Sequence, residues 1–543
     1  MYVNRLIEFS EANQDKLPPL GFKIKEINWI VDVEQDKFIF NSVKKDMSVP
    51  DITRTSNIQP ILIADRPDYV FGFFDKDKDK ERSKIRHKAY KELLQNYIDE
   101  TGDPDATLIM SLLDKEKPPT DMKMGDNIVF RIRDEDFIHN TPSVRKYWGS
   151  YVQLKVNDKS NVMPCMFCHK QTTIIKRHSI DFLIGRDNTK MITANKNAYE
   201  SYGLKNSINA PTCYVCEQNY GKALEYLLKR HVNKDEPGGP HMLRVGDITY
   251  VYWVRGVDQI NLRPIMSPTD KQSKEDMRDL LSQTFKGLKV SRNINDFCLL
   301  SLSSNKGRLV VRDYVEDSIG KIKESIETFF ESQNIGHTRF YGIYTLAAAM
   351  YIEPRNQMQK YVLEEWMNWF LYGRAMSGRI LAPLLKRIQA IGNMYPQQAA
   401  AVQSWLLSQK KGGTKEMITN EEKQSKAYLT GRVFAILEKI QREAINSENT
   451  IAAKYFGAAS TTPQSIMGLL IRNSQYHLAK LKNTDTKKFK ARFLEKDLGE
   501  ILSDLHEFPS TLGMKEQGEF AIGYYYEKQK SFTNKKETRE QVK

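Results

Sequence analysis

Phe297-Cys-Leu-Leu-Ser-Leu-Ser-Ser-Asn-Lys-Gly-Arg-Leu-Val-Val-Arg-Asp-Tyr314, followed by Ser318 to Ser332, is the stretch on which the fold turns. Two apolar, β-rich runs, Phe297–Leu302 and Arg308–Tyr314, flank Ser304-Asn-Lys-Gly307, the pattern of a hairpin. Helical periodicity takes over directly after it. Before this point strand and helix signals alternate: an amphipathic helix over Val3–Phe9, strands over Ile27–Val33 and Phe38–Phe40, a helix over Ser83–Tyr97, and strands over Asn127–Arg133 and Thr249–Val254. Beyond about residue 340 strand signals vanish. Leu429, Val433, Ile436, Ile440 and Ala444 share one helix face, as do Leu494, Leu498, Ile501 and Leu505. The expected class is therefore α+β: a mixed α/β body carrying a cysteine-pair subdomain, then an all-α helical bundle. The expected divisions are 1–160, 161–256, 257–340 and 341–543. Gln409–Glu422 reads as a polar linker within the last.

Hydrophobic residues make up 40% of the 543 and charged residues 28%, which suits a packed globular protein and argues against general disorder. The 82 Lys and Arg against 68 Asp and Glu leave a net charge of +14, which favours polyanionic partners. Glu8 and Glu11 interrupt the first residues, so they do not read as a signal peptide. No run approaches the roughly 20 apolar residues that cross a bilayer, and a cytoplasmic protein with no membrane partner is expected.

Cys165-Met-Phe-Cys168 and Cys213-Tyr-Val-Cys216 form two CxxC units, enough thiolates to close a tetrahedral Zn2+ site. Such a site has no open coordination position, so the expected role is structural. Three other readings stand beside it: two unrelated pairs of inert buried thiols, a haem attachment because His169 completes CxxCH, and an iron–sulfur cluster. Cys298 lies in an apolar strand and reads as core. No phosphate-loop, H-E-x-x-H or G-x-S-x-G pattern is present, and the nine histidines are scattered. Catalytic residues are therefore not assigned.

For DNA, Arg54, Asn57 and Gln59 stand out in a polar segment before Pro60, because these side chains can reach base edges. An ordinary polar loop is the competing reading. Arg432, Lys439, Arg442, Arg472 and Lys480 are expected to face outward from helices whose apolar sides are buried, available to phosphates; plain solvated helix faces are the alternative.

The order of segments resembles the type I-C CRISPR Cascade large-subunit family, the Csd-type CRISPR-associated proteins. The resemblance rests on Leu17-Pro-Pro-Leu-Gly-Phe22, Tyr69-Val-Phe-Gly72, Gly125-Asp-Asn-Ile-Val-Phe-Arg131, Asn197-Ala-Tyr-Glu-Ser-Tyr-Gly203 with Asn209-Ala-Pro211, and Arg244-Val-Gly-Asp-Ile-Thr249. Tyr455-Phe-Gly-Ala-Ala-Ser460, Glu507-Phe-Pro509 and Glu516-Gln-Gly-Glu-Phe-Ala-Ile-Gly-Tyr-Tyr525 continue it towards the C-terminus. It departs at Gly185–Asn188 and Met191–Asn195, where many relatives are rich in Gly and Ser. The resemblance implies a non-enzymatic subunit of an RNA-guided complex containing crRNA, backbone subunits and a repeat-processing subunit. Its N-terminal part would read a protospacer-adjacent motif in double-stranded target DNA. Its C-terminal bundle would line the DNA path and support the R-loop, and a separate helicase-nuclease would be recruited for antiviral defence. The alternatives are a zinc-containing metal-dependent nuclease and a basic RNA-binding scaffold. The resemblance also implies that a small subunit can be translated from within the message. Met417 is the candidate start, since Lys411-Gly412-Gly413 upstream can be encoded with a ribosome-binding sequence, and residues 417–543 would then be made separately; Met394 is the rival.

Overall fold

Twelve residues, Phe22–Val33, form the strand around which the N-terminal sheet is built. A computed structural model describes residues 1–54, 58–132, 136–156, 161–194, 196–229, 241–255, 260–266, 274–286, 294–335, 339–410, 425–445 and 450–540. These divide into two units: Met1–Met242 with Leu300–Tyr314, and Leu243–Leu299 with Val315–Lys543.

In the first unit, helix α1 (Tyr2–Ala12) buries Val3, Leu6 and Phe9 on one face. Strands β1 (Phe22–Val33), β2 (Phe38–Pro50), β3 (Ile128–Ile132) and β4 (Asp136–Phe137) form a sheet ordered β2-β1-β3-β4, with β1 antiparallel to β2 and parallel to β3. The register of β1 slips between Ile27 and Trp29, where the Asn28 and Trp29 N–H groups both donate to the Asn127 carbonyl, at 3.0 and 3.1 Å. The slip reverses side-chain parity. Trp29, Val31 and Val33 therefore join the main core, while Ile27 and Ile30 lie with Val49 and Val129 in a second cluster. Strand β2 runs well past the expected Phe40, because residues 41–48, polar except for Val43 and Met47, are held by pairing with β1 and carry no hydrophobic alternation.

The apolar run at Tyr69 is a single helical turn, α2 (Pro67–Val70), opened by proline. Helix α3 (Lys80–Thr101) then seats Tyr90, Leu93, Leu94 and Tyr97 in the core. The Tyr97 hydroxyl donates to Asp103 Oδ2 at 2.5 Å, and Asp103 caps α4 (Pro104–Leu112) through the amides of Asp105 and Ala106. Helix α5 (Pro142–Val156) buries Trp148, whose indole N–H donates to the Gly21 carbonyl at 2.8 Å. Gly21 has φ +78°, and a Cβ there would press on the Trp148 ring. The cysteine segment follows as two small hairpins, β5 (Val162–Pro164) with β6 (Gln171–Thr173) and β7 (Phe182–Ile184) with β8 (Asp187–Thr189), and then α6 (Tyr214–Leu227).

A second sheet is ordered β12-β11-β10-β9, from β9 (Met242–Val245), β10 (Ile248–Val254), β11 (Phe297–Asn305) and β12 (Arg308–Asp317). The expected hairpin is present. Its turn has Lys306 at φ +50° and Gly307 at φ +79°, the two left-handed residues of a type I′ turn. Helices α7 (Arg263–Met266) and α8 (Lys274–Thr284) come between β10 and β11. After β12, Ser318 accepts from the Lys321 N–H and opens α9 (Ile319–Glu331). Among the described residues no strand follows Asp317.

The rest is helical: α10 (Ile343–Ala348), α11 (Pro354–Gln357), α12 (Lys360–Tyr372), α13 (Gly378–Ile391), α14 (Pro396–Ser408), α15 (Lys426–Ile445), α16 (Ile451–Thr461), α17 (Pro463–Lys482), α18 (Lys488–Leu505) and α19 (Met514–Glu540). Helix α15 is central. Phe434 meets Phe456 of α16 and Phe520 and Tyr524 of α19, edge to face or tilted. Helices α15 and α19 cross so closely that a Cβ on Gly431 would overlap the Phe520 carbonyl, and one on Gly523 the Tyr428 carbonyl. Among the described residues no helix is long and apolar enough to cross a membrane.

Candidate metal centre and motif-reading segment

Cys165 follows β5, and its N–H donates to the Lys170 carbonyl at 3.1 Å, closing a knuckle that presents two sulfurs. His169 takes a left-handed conformation, φ +60°, to make that turn, and its N–H returns to the Cys165 carbonyl at 2.9 Å. The Met166 N–H donates to the Pro211 carbonyl at 2.8 Å, and Ile174 forms an antiparallel bridge with Cys213. These bonds bring the second pair to the first across the 44 residues between them. Cys213 is the N-cap of α6, and Cys216 lies in its first turn.

The four sulfurs lie within 4.8 Å of one another. Cys168 and Cys213 Sγ are 3.9 Å apart. A tetrahedron with metal–sulfur bonds of about 2.3 Å has edges of roughly 3.8 Å, so the donors fit one ion. Three of the cysteines are buried and Cys168 is partly exposed. The Cys213 thiol is held down to about 5, chiefly by the hydrogen bond from Cys216, while that contact and burial push Cys216 up. Burial is also the first cause that raises Cys168. The Cys213 sulfur further receives the Cys216 N–H at 3.5 Å, and Cys165 Sγ receives the Cys213 N–H at 3.4 Å. Amide donors of this kind favour negative sulfur, the form that binds metal. His169 is exposed and is not a member of this group, which gathers both cysteine pairs into one four-sulfur site.

The segment from Asp51 is tied back to the unit by Arg54. Its Nη2 reaches both oxygens of Asp65, at 2.6 and 2.5 Å, and its Nε donates to the Gln59 carbonyl at 2.8 Å. The guanidinium lies 4.0 Å from the centre of the Tyr69 ring. Asp65 is fully buried and also accepts from the N–H groups of Ile61 and Arg66. Arg66 and Arg86 approach the same ring, and both pair with buried Asp68. Gln59 is half-buried, with its side-chain oxygen enclosed; Asn57 lies outside the described residues. Asp65 and Asp68 were not anticipated as partners, because a buried carboxylate in an apolar run gives no sign of which cation it meets.

Sequence reading also missed the inner face of α6. Glu217 and Lys222 are buried there: Glu217 accepts from Ser179, and the Lys222 ammonium donates to the Pro19 carbonyl at 2.5 Å. The only available signal was their spacing beside Tyr214 and Gln218 on one helical face.

In the second unit, Arg442, Arg472 and Lys480 are exposed as expected. Arg432 is not. It sits at the α15–α19 crossing, where its Nε donates to Glu527 at 2.9 Å, with side-chain exposures of 13% and 6%. The outward orientation expected for it is therefore corrected: close helix approach turns the guanidinium onto α19. Lys439 is half-buried, and burial lowers its ammonium. Met417 lies outside the described residues, and the helix carrying Leu429 to Ala444 is described from Lys426.

A comparison with curated proteins finds no match. The family model described as CRISPR-associated protein (Cas_Csd1) matches residues 4–532, nearly the whole chain and both units. With a match of that extent, the chain belongs to the Cas_Csd1 family of CRISPR-associated proteins.

Proposed function

We propose that this chain is the large, non-catalytic subunit of a type I-C Cascade, in which crRNA, backbone subunits and a repeat-processing subunit complete the assembly. The observation that carries the reading is the family match over residues 4–532. The surplus of positive charge supports a polyanionic partner. In this reading the first unit recognises a protospacer-adjacent motif in duplex DNA through the segment containing Arg54, Asn57 and Gln59. Arg54 shapes that segment from beneath, which leaves base contact to its neighbours. In an RNA-guided exchange the duplex lost and the heteroduplex gained are nearly balanced, so motif binding and backbone contacts decide the outcome. Arg442, Arg472 and Lys480 supply phosphate contacts in the second unit, with Lys439 beside them. The R-loop so held is the platform to which the helicase-nuclease is recruited.

The four cysteines would hold one structural Zn2+, which fixes the knuckle to the start of α6 and supplies no reaction chemistry, since four thiolates complete its coordination. Residues 417–543, made separately from Met417, would supply α15–α19 as a small subunit; in the full chain their core is continuous with that of the preceding helices.

Co-expression with the other subunits and crRNA tests the reading: the chain should copurify in the ribonucleoprotein and, with Mg2+ and labelled duplex, cleave nothing. Specific cleavage by the chain alone would establish the nuclease alternative. Binding confined to single-stranded RNA would establish the scaffold.

A further inference from the structure

Tyr202 combines two features that add nothing to the fold. It lies in the left-handed region at φ +50° and, followed by Gly203 at φ +76°, forms the two-residue loop of a type I′ turn. The Leu204 N–H donates to the Ser201 carbonyl at 2.9 Å and the Ser201 N–H to the Leu204 carbonyl at 3.4 Å, which closes the turn. Asn, Asp or Gly is the usual first residue of such a loop, because a bulky side chain is strained at positive φ. Packing does not offset the strain: Tyr202 is 99% exposed and makes no hydrogen bond or ring contact among the described residues. A strained side chain with no contact in its own chain points to a contact outside it.

The turn is pinned on both sides. Before it, the Tyr199 carbonyl accepts from the Asn209 side-chain amide, and the Tyr199 ring lies 4.9 Å from the Arg308 guanidinium. After it, the N–H of buried Ser207 donates to the Lys176 carbonyl at 3.2 Å. Arg308 forms a parallel bridge with Lys190, and Asp187 accepts from the Ser304 hydroxyl. The β7–β8 turn, the β11–β12 turn and the Tyr202 turn therefore gather in one place on the first unit. Together they carry Arg186, Lys190, Lys196, Lys205, Lys306 and Arg308 against Asp187 and Glu200, a surplus of four positive charges. Lys190 pairs with Asp181 at 3.0 Å, which leaves three. The other five cations are exposed, and none of them is in an ion pair among the described residues.

We propose that Tyr202 stacks on an unpaired base of a nucleic-acid strand whose phosphates lie on the surrounding cations. An aromatic face accepts any base, and unpaired cations beside it follow the backbone. A protein pocket is the poorer fit, since the centre of a protein interface around an aromatic anchor is depleted in charge, and in lysine especially. The inference rests on the reading that the chain binds nucleic acid, and it adds a base contact remote in sequence from the Arg54–Gln59 segment.

The test measures binding of the full chain, by fluorescence anisotropy, to a labelled single strand of about twelve nucleotides and to an abasic strand of the same length. Wild type should prefer the strand with bases by roughly 5- to 100-fold, the worth of one base–aromatic stack. Tyr202→Ala should abolish that preference and leave the abasic strand bound as before, whereas Tyr202→Phe should keep it. Lys306→Gln should weaken both strands alike and flatten their salt dependence. Tyr202→Asn should lose the preference with a thermal midpoint at or above that of wild type, because Asn tolerates the left-handed conformation. A midpoint lowered by Tyr202→Asn makes the ring part of the fold and overturns the proposal. So does a base preference that survives Tyr202→Ala, or one that Tyr202→Phe loses equally. Strand binding unchanged in Tyr202→Ala together with failure of that variant to enter the ribonucleoprotein assigns the residue to a protein partner instead. A wild-type chain that binds neither single strands nor duplex refutes the functional reading itself, and this inference with it.

Discussion

Replacing Arg54 by alanine should damage folding before it touches recognition. Arg54 supplies the one cation within hydrogen-bond reach of Asp65 among the bonds described here, and Asp65 has no exposed side-chain surface. Removing one partner of a buried pair strands the other, at a cost of about 3–5 kcal/mol. For a unit of this size that is a fall in thermal midpoint of roughly 6–20 °C. The loss should depend on pH in a definite direction. Burial already raises the Asp65 carboxyl, and Arg54 opposes that rise. Without the guanidinium the folded carboxyl titrates higher still, above its unfolded value. Stability of the variant is then greatest below about pH 4 relative to wild type and is lost as pH rises through the folded pKa. Hydrogen exchange at the β1 amides and a calorimetric melt from pH 4 to 8 would follow it. Arg54→Met with Asp65→Asn should recover part of the loss, because a neutral amide leaves no stranded charge and its oxygen still accepts from a backbone N–H of Ile61 or Arg66. A single Arg54→Ala protein with wild-type melting and weakened motif binding would refute this reasoning and make Arg54 a direct reader.

Protein purified without chelator should contain about one zinc per chain, and Cys216→Ser should lose it together with cooperative melting of the first unit; a metal-free wild-type protein that melts normally removes the proposed ion. Burial holds His139 and His178 down to about 4 each. Between about pH 6.5 and 4 the unfolded chain binds protons the folded one does not, so stability falls with falling pH by up to about 3 kcal/mol per histidine, and His139→Gln should flatten that slope. Gly431→Ala should part α15 from α19 and cost about 1–3 kcal/mol, seen as faster exchange in both helices; unchanged exchange would contradict the close crossing. Met417→Leu should eliminate a C-terminal product that appears when the gene is expressed with its native codons, whereas a band that persists places the start elsewhere.

The hairpin at residues 297–314 and the helices after it could be read directly, because alternation, an Asn-Lys-Gly turn and helical periodicity are all local. The cysteine centre was legible for the same reason: each CxxC presents two sulfurs from one turn. The long polar half of β2 was not, since its pairing with β1 and the slip at Asn28 depend on Asn127, about a hundred residues away. Arg54 and Arg432 show the same limit among the cations. Each looks like an available charge in sequence, and each is claimed by a carboxylate, Asp65 or Glu527, that no local spacing connects to it.

The most direct test of the central claim is binding of a labelled duplex by the assembled ribonucleoprotein, with and without this chain, on targets that match the guide and differ only in the flanking motif. Motif-dependent binding that disappears when the chain is omitted is the predicted result. Equal binding to motif-bearing and motif-free duplexes, or motif discrimination that survives omission of the chain, would contradict it.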